Sequence, residues 1–189
     1  MVRTGQTELD EQGRIAGNLD VPLSDTGQKQ IESLVKEFAD WNIAKIACGP
    51  GTAARQTADL IAADRKIKVK VEEELRSFDC GLWHGMRIEE LKENQPKLFK
   101  LWQEQPQSVQ PPGGDSPDDA VSRVTRFVKK LTRRPKNETI IVVASEPIAC
   151  ILRSLLEEKD LSKYWTVEPN CGTWFEFIRD LQSLSLIHI

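Results

Sequence analysis

The sequence predicts an α/β fold, a three-layer sandwich in which a mainly parallel sheet lies between two layers of helices. Two observations carry that reading. Segments of strand and helix character alternate along the chain, which is the order produced by connected βαβ units. Residues 139–145, Thr-Ile-Ile-Val-Val-Ala-Ser, are β-branched and apolar without alternation, as in a strand buried on both faces. No internal repeat and no interdomain linker breaks the pattern, so residues 1–183 read as one domain.

Taken in order, Asp25-Thr26-Gly27 opens a helix over 28–41, where Ile31, Leu34, Val35 and Phe38 share one face. Residues 43–48 read as a short buried strand ending in the turn Gly49-Pro50-Gly51. A helix is expected over 52–63 and a strand over 67–72. Residues 87–104 carry one helical stripe through Ile88, Leu91, Leu98, Leu101 and Trp102. The Pro/Gly-rich stretch 106–114 is a loop, and Ser116-Pro117-Asp118-Asp119 starts a helix that should reach residue 133. Beyond the 139–145 strand, a helix over 147–158 and a last strand over 173–178 complete the alternation.

The chain has 189 residues, 39% hydrophobic and 29% charged, with a net charge of -3. That balance provides no basic face for nucleic acid. No apolar run approaches the roughly 18 residues that a membrane span needs. The four cysteines, Cys48, Cys80, Cys150 and Cys171, are scattered and match neither a zinc site nor a disulfide scaffold. They fit reduced thiols in a cytoplasm-like compartment, and neither a cofactor nor a metal is expected.

Several separated segments share one pattern. Val2-Arg3-Thr4-Gly5-Gln6-Thr7-Glu8 opens the chain, followed by Gly13-Arg14-Ile15-Ala16-Gly17-Asn18 and Pro22-Leu23-Ser24-Asp25-Thr26-Gly27. Residues 50–58, 75–85, Gly114-Asp115-Ser116, 142–156 and Asn170 continue it. In order and spacing these resemble the V-R-H-G, G-R-x-x-G, P-L-S-x-x-G, P-L-x-R-A-x-Q-T-A, L-x-E-x-x-F-G-x-W-E-G and G-E-S segments of the histidine phosphatase (phosphoglycerate mutase-like) superfamily. The resemblance covers nearly the whole chain and implies a phosphoglycerate mutase-like fold.

The same resemblance implies that the chemistry has been dismantled. The family's phosphoryl-accepting His falls at Thr4, its second phosphate-binding Arg at Ala53, its second His at Glu146 and its general-acid Glu at Ser77. Arg3 persists, and with Arg14 and Asn18 makes up the expected remnant of the phosphate pocket. Arg55 lies two residues beyond the aligned arginine, about 200° around a helix, and is expected at the surface.

An imidazole attacks phosphorus at neutral pH because it offers a free lone pair; a threonine hydroxyl needs a neighbouring base. Losing the acid at position 77 removes a contribution typically worth about 10²–10⁴-fold. Glu146 is expected to occupy the vacated phosphate position and pair with Arg3, since a carboxylate suits a guanidinium.

Function is therefore expected to be that of a pseudophosphatase, a ligand-sensing or protein-interaction module whose small ligand or partner is unidentified. One alternative is weak phosphomonoesterase or mutase-type activity with relocated groups. His84, where the family has Glu in W-E-G, is either a solvated loop histidine or a relocated nucleophile. A second alternative is nucleotide or small-anion binding at Gly49, Gly51 and Thr52, where Gly49-Pro50-Gly51-Thr52-Ala53-Ala54 fits G-x-G-x-x-A between a strand and a helix. Trp83, Trp102, Trp165 and Trp174 read as core or cleft packing, because no basic stripe accompanies them.

Both ends depart from the pattern. Only Met1 and Val2 precede Arg3, where a full buried strand is expected, so the first strand reads as clipped. Residues 184–189, Leu-Ser-Leu-Ile-His-Ile, match one frame of a transposon-derived sequencing adapter and are expected to be non-native, which leaves His188 without a role.

Overall fold

The computed structural model describes residues 1–133, 138–167 and 170–178. Four strands, β1 (Val2–Arg3), β2 (Ile43–Cys48), β3 (Val69–Val71) and β4 (Thr139–Ala144), form one parallel sheet in the order β1-β4-β2-β3. The helices of the described residues are α1 (Glu8–Glu11), α2 (Asp25–Glu37), α3 (Thr52–Ala62), α4 (Ile88–Asn94), α5 (Pro96–Glu104), α6 (Pro117–Thr132) and α7 (Ile148–Glu157).

The uninterrupted apolar run becomes β4, which pairs with both β1 and β2 and is buried on both faces. Ile141 and Val143 join one core with Ile31 and Leu34 of α2 and Ala58 and Ile61 of α3. Val142 and Ala144 join a second core with Trp102 of α5, Val124 and Phe127 of α6, and Ile148 and Leu152 of α7. Strand periodicity thus divides one run of side chains between two helical layers, which is the predicted sandwich.

Local chemistry explains where the expected elements shift. The helix expected from residue 28 begins at Asp25, because Ser24 caps it by accepting the Gly27 N–H at 3.1 Å. It stops at Glu37, short of residue 41. The single helix expected over 87–104 is two helices. Pro96 has no N–H and disfavours helical backbone at the preceding residue, and Gln95 (φ -136°, ψ 57°) breaks the run there. The strand expected over 67–72 shrinks to Val69–Val71 at the sheet edge.

The last expected strand, 173–178, is not a strand beyond a single antiparallel bridge from Trp174 to Val2. Around that bridge, Arg3 N–H donates to Thr173 O at 2.8 Å and Phe175 N–H to Met1 O at 3.0 Å. The two-residue β1 is thereby hydrogen-bonded on both edges. Residues 184–189, including His188, lie outside the described residues. Among the described residues, no helix is long and apolar enough to cross a membrane.

Candidate functional site

The carboxyl ends of β1, β2 and β4 open into a cavity of about 110 Å³, the place where parallel sheets receive ligands. Each strand delivers residues as it ends. β1 leads to Thr4, β4 to Ser145 and Glu146, and β2 to the Gly49-Pro50-Gly51 turn and the start of α3. Thr4, Arg14, Gly51, Thr52, Ala53, Ser77 and Glu146 line the cavity together. Arg3, Asn18 and Gly49 are not among its lining residues.

Arg3 is taken up by Glu146. Its Nε donates to Glu146 Oε1, and its Nη1 donates to Thr173 Oγ1 at 3.1 Å. The two side chains are 8% and 10% exposed, so the pair is nearly dry. The second carboxylate oxygen, Oε2, accepts from Cys150 N–H at 3.3 Å and from the Cys150 thiol at 2.9 Å. That contact follows from spacing, since Cys150 lies one helical turn after Glu146 at the start of α7. Burial opposes the Arg3 charge, but the adjacent Glu146 carboxylate outweighs it and holds the guanidinium above its ordinary pKa. Burial and then the same carboxylate push the Cys150 thiol up.

No acid or base stands at the other two positions. Thr4 is buried and fixed by its backbone: its N–H donates to Ala144 O at 3.3 Å and its carbonyl accepts from Gly172 N–H at 2.8 Å. Its side chain faces the cavity, whose other lining residues include Thr7 and Asp10, and the Asp10 carboxylate already accepts from the Thr7 hydroxyl at 2.7 Å. Ser77 Oγ lies 2.9 Å from Ser145 Oγ, a pair of hydroxyls where proton transfer would need a group titrating near neutrality.

At the turn before α3 a side-chain carboxylate reaches the helix start. Asp20 Oδ1 accepts the Thr52 N–H at 2.6 Å, and that hydrogen bond holds its carboxyl below the usual range. An internal carboxylate thus takes one backbone donor of the helix N-terminus at the expected anion site, of which Gly51 and Thr52 line the cavity and Gly49 does not. Asp10, Asp20 and Glu146 line the cavity against one guanidinium, Arg14. Arg14 turns toward the loops, donating to Gly85 O at 2.5 Å and to Gln12 Oε1 at 3.1 Å.

Asn18 and His84 form a separate lock. The Cys80 and Asn18 amides donate to His84 Nε2 at 3.1 and 3.3 Å. His84 is thus held rather than free in solvent: its side chain is 20% exposed, its Nε2 also lies 3.6 Å from Asp79 Oδ1, and it is not among the residues lining the cavity. Gly17 adopts φ +56° against this ring, and any side chain there would collide with it. Arg55 is exposed, as its helical position predicts.

Some participants had little signal in the sequence. Asp20 is an ordinary acidic loop residue until folding places it over α3. Ser145 precedes Glu146 and was visible only as the strand end. Trp102 and Trp165, 6.0 Å apart between ring centroids at 66°, wall the cavity from α5 and from the loop after α7. Among the described residues, no group of three or more His, Cys, Asp or Glu side chains is placed to hold a metal.

Comparison with known proteins agrees with this architecture. The model of the histidine phosphatase superfamily (branch 1) matches residues 1–188. Phosphoserine phosphatase 1 of Hydrogenobacter thermophilus is 33% identical over 190 residues, covering 100% of this chain and 85% of that protein. A bifunctional protein of Mycobacterium tuberculosis is 31% identical over 188 residues, covering 98% of this chain and 48% of that protein, so the chain spans about half its length. The solved structure of a mycobacterial glucosyl-3-phosphoglycerate phosphatase superposes with a TM-score of 0.76 at 23% identity, covering 87% of this chain and 81% of that one. The chain therefore belongs to the histidine phosphatase superfamily.

Proposed function

We propose that this member of the superfamily is a pseudophosphatase, a single domain whose cleft serves ligand sensing or protein interaction rather than phosphoryl transfer. One observation carries the reading: Arg3, the cation that the family resemblance places in the phosphate pocket, is held by Glu146, which lines the cavity while Arg3 does not. Lining the cavity are Asp10, Asp20 and the Arg3-paired Glu146, with Arg14, engaged with the loops, as the one guanidinium among the described lining residues. The pocket thus lacks the surplus of free positive charge that phosphoryl transfer depends on. Thr4 supplies a hydroxyl in place of an imidazole and Ser77 a hydroxyl in place of an acid.

The names of the relatives include phosphoserine phosphatase, and that activity is the alternative against which this reading is set. The ligand or partner is an uncharged or cationic small molecule or a protein surface, consistent with the acidic lining. Free thiols at all four cysteines fit a reducing, cytoplasm-like compartment.

Two measurements test the proposal. Purified protein should not hydrolyse p-nitrophenyl phosphate or phosphoserine above the buffer rate, and phosphate or vanadate should not bind at micromolar concentration. Turnover that disappears on Arg3→Ala would overturn the reading.

A further inference from the structure

A second cavity, of about 150 Å³, lies between α6 and the sheet face formed by β2, β3 and β4, and it shares no lining residue with the cleft. Its floor is apolar: Ala47 of β2, Ile140 of β4, and Phe127 and Leu131 of α6. Its rim carries four lysines, Lys45, Lys68, Lys70 and Lys130, against one lining carboxylate, the buried Glu72.

The lysines are brought together by register. Ala47 pairs with Lys70 across β2 and β3, and Lys45 pairs with Ile140 across β2 and β4. Residues two apart share a face, so Lys45 and Lys70 stand on the same side as Ala47, the side covered farther along by α6. Like charges on neighbouring strands of one face repel, and this arrangement works against the stability of the sheet. Carboxylates offset part of it: Lys45 meets Glu138 at 3.6 Å, Lys70 meets the buried Glu72 at 2.7 Å, and Lys130 bonds Glu74. Lys68 has no ion-pair partner among the described residues.

We propose that this face is a binding site for a small anion with an apolar tail, of the monocarboxylate class. The head group meets Lys68 with Lys45 and Lys70, and the tail covers Phe127, Leu131 and Ile140. The cavity is smaller than a drug-sized pocket of about 300–1,000 Å³, so the tail is a short chain or a single ring. The site does not depend on whether the cleft turns over phosphate.

The probe is octanoate, titrated into the isotope-labelled full chain and followed by amide chemical shifts. Saturable shifts within 45–47, 68–72 and 127–131 are expected, with octanol weaker by about fivefold and added salt weakening octanoate alone. Lys68→Glu, at an exposed position, should weaken octanoate by about fivefold and leave octanol unchanged. Octanol binding as well as octanoate would reduce the site to an apolar crevice and overturn the proposal. So would inorganic phosphate matching octanoate, shifts confined to the cleft residues, or no saturation because the lysine stems already cover the floor. If Lys68→Glu does not fold, the salt and octanol comparisons on the unaltered protein still decide the outcome.

Discussion

Removing the Glu146 carboxylate leaves the Arg3 guanidinium in a site 8% open to solvent, with Thr173 Oγ1 as its remaining side-chain acceptor. Breaking a buried pair from one side costs on the order of 3–5 kcal/mol, whereas replacing both members by apolar residues of similar volume is often neutral. Glu146→Ala should therefore destabilise the protein by roughly 3 kcal/mol in urea unfolding, and the double variant Arg3→Met with Glu146→Leu should recover most of that. A single variant as stable as the unaltered protein would show that the pair is not desolvated. The pairing was legible at this scale because a carboxylate and a guanidinium fell on motif positions known to converge. Cys150 was not, since its thiol reaches Glu146 only once α7 forms.

At the scale of elements, the close approach of the chain start to α2 rests on two glycines. A Cβ on Gly5 would lie 2.6 Å from Gly27 O, and a Cβ on Gly27 would press still harder on the backbone of Gln6. Neither neighbour is a flexible side-chain end, so the helix itself would have to move. Gly27→Ala should lower the melting temperature markedly despite the better helix propensity of alanine, with a loss of about 1–3 kcal/mol from overpacking. An unchanged or higher melting temperature would show that α2 does not need this contact. Sequence periodicity placed these helices well because their apolar stripes are local. It merged α4 and α5, since the stripe continues across Gln95 although Pro96 breaks the backbone.

Across the whole molecule, two cores on opposite faces of one sheet enclose three thiols. Burial pushes Cys48 up to about 11 and Cys80 up to about 12, and pushes Cys150 up as well. At pH 8 a thiol titrating near 12 is ionised to about one part in ten thousand, and the thiolate is the reactive form. A disulfide reagent at pH 8 should therefore label Cys48, Cys80 and Cys150 at least about a hundredfold more slowly in the native protein than in urea, by mass spectrometry. Rapid native labelling would contradict the packing of both layers. The sign for stability follows: these groups titrate higher when folded, so their contribution is complete below about pH 8.5, the unfolded thiol value, and declines as pH rises through the folded values.

What the sequence determined by itself was the sandwich and the family pattern. Helical stripes, the unbroken run of β4 and the residue types at 4, 53, 77 and 146, on which the proposed loss of chemistry rests, are all properties of residue type and spacing along the chain. Only the tertiary structure decided how the remaining groups are used. Asp20 caps α3, His84 accepts backbone amides and four lysines gather beside α6, because each contact joins residues that only chain folding brings together. A hydrogen bond depends on distance and direction in space, and spacing along the chain supplies neither for residues on different elements.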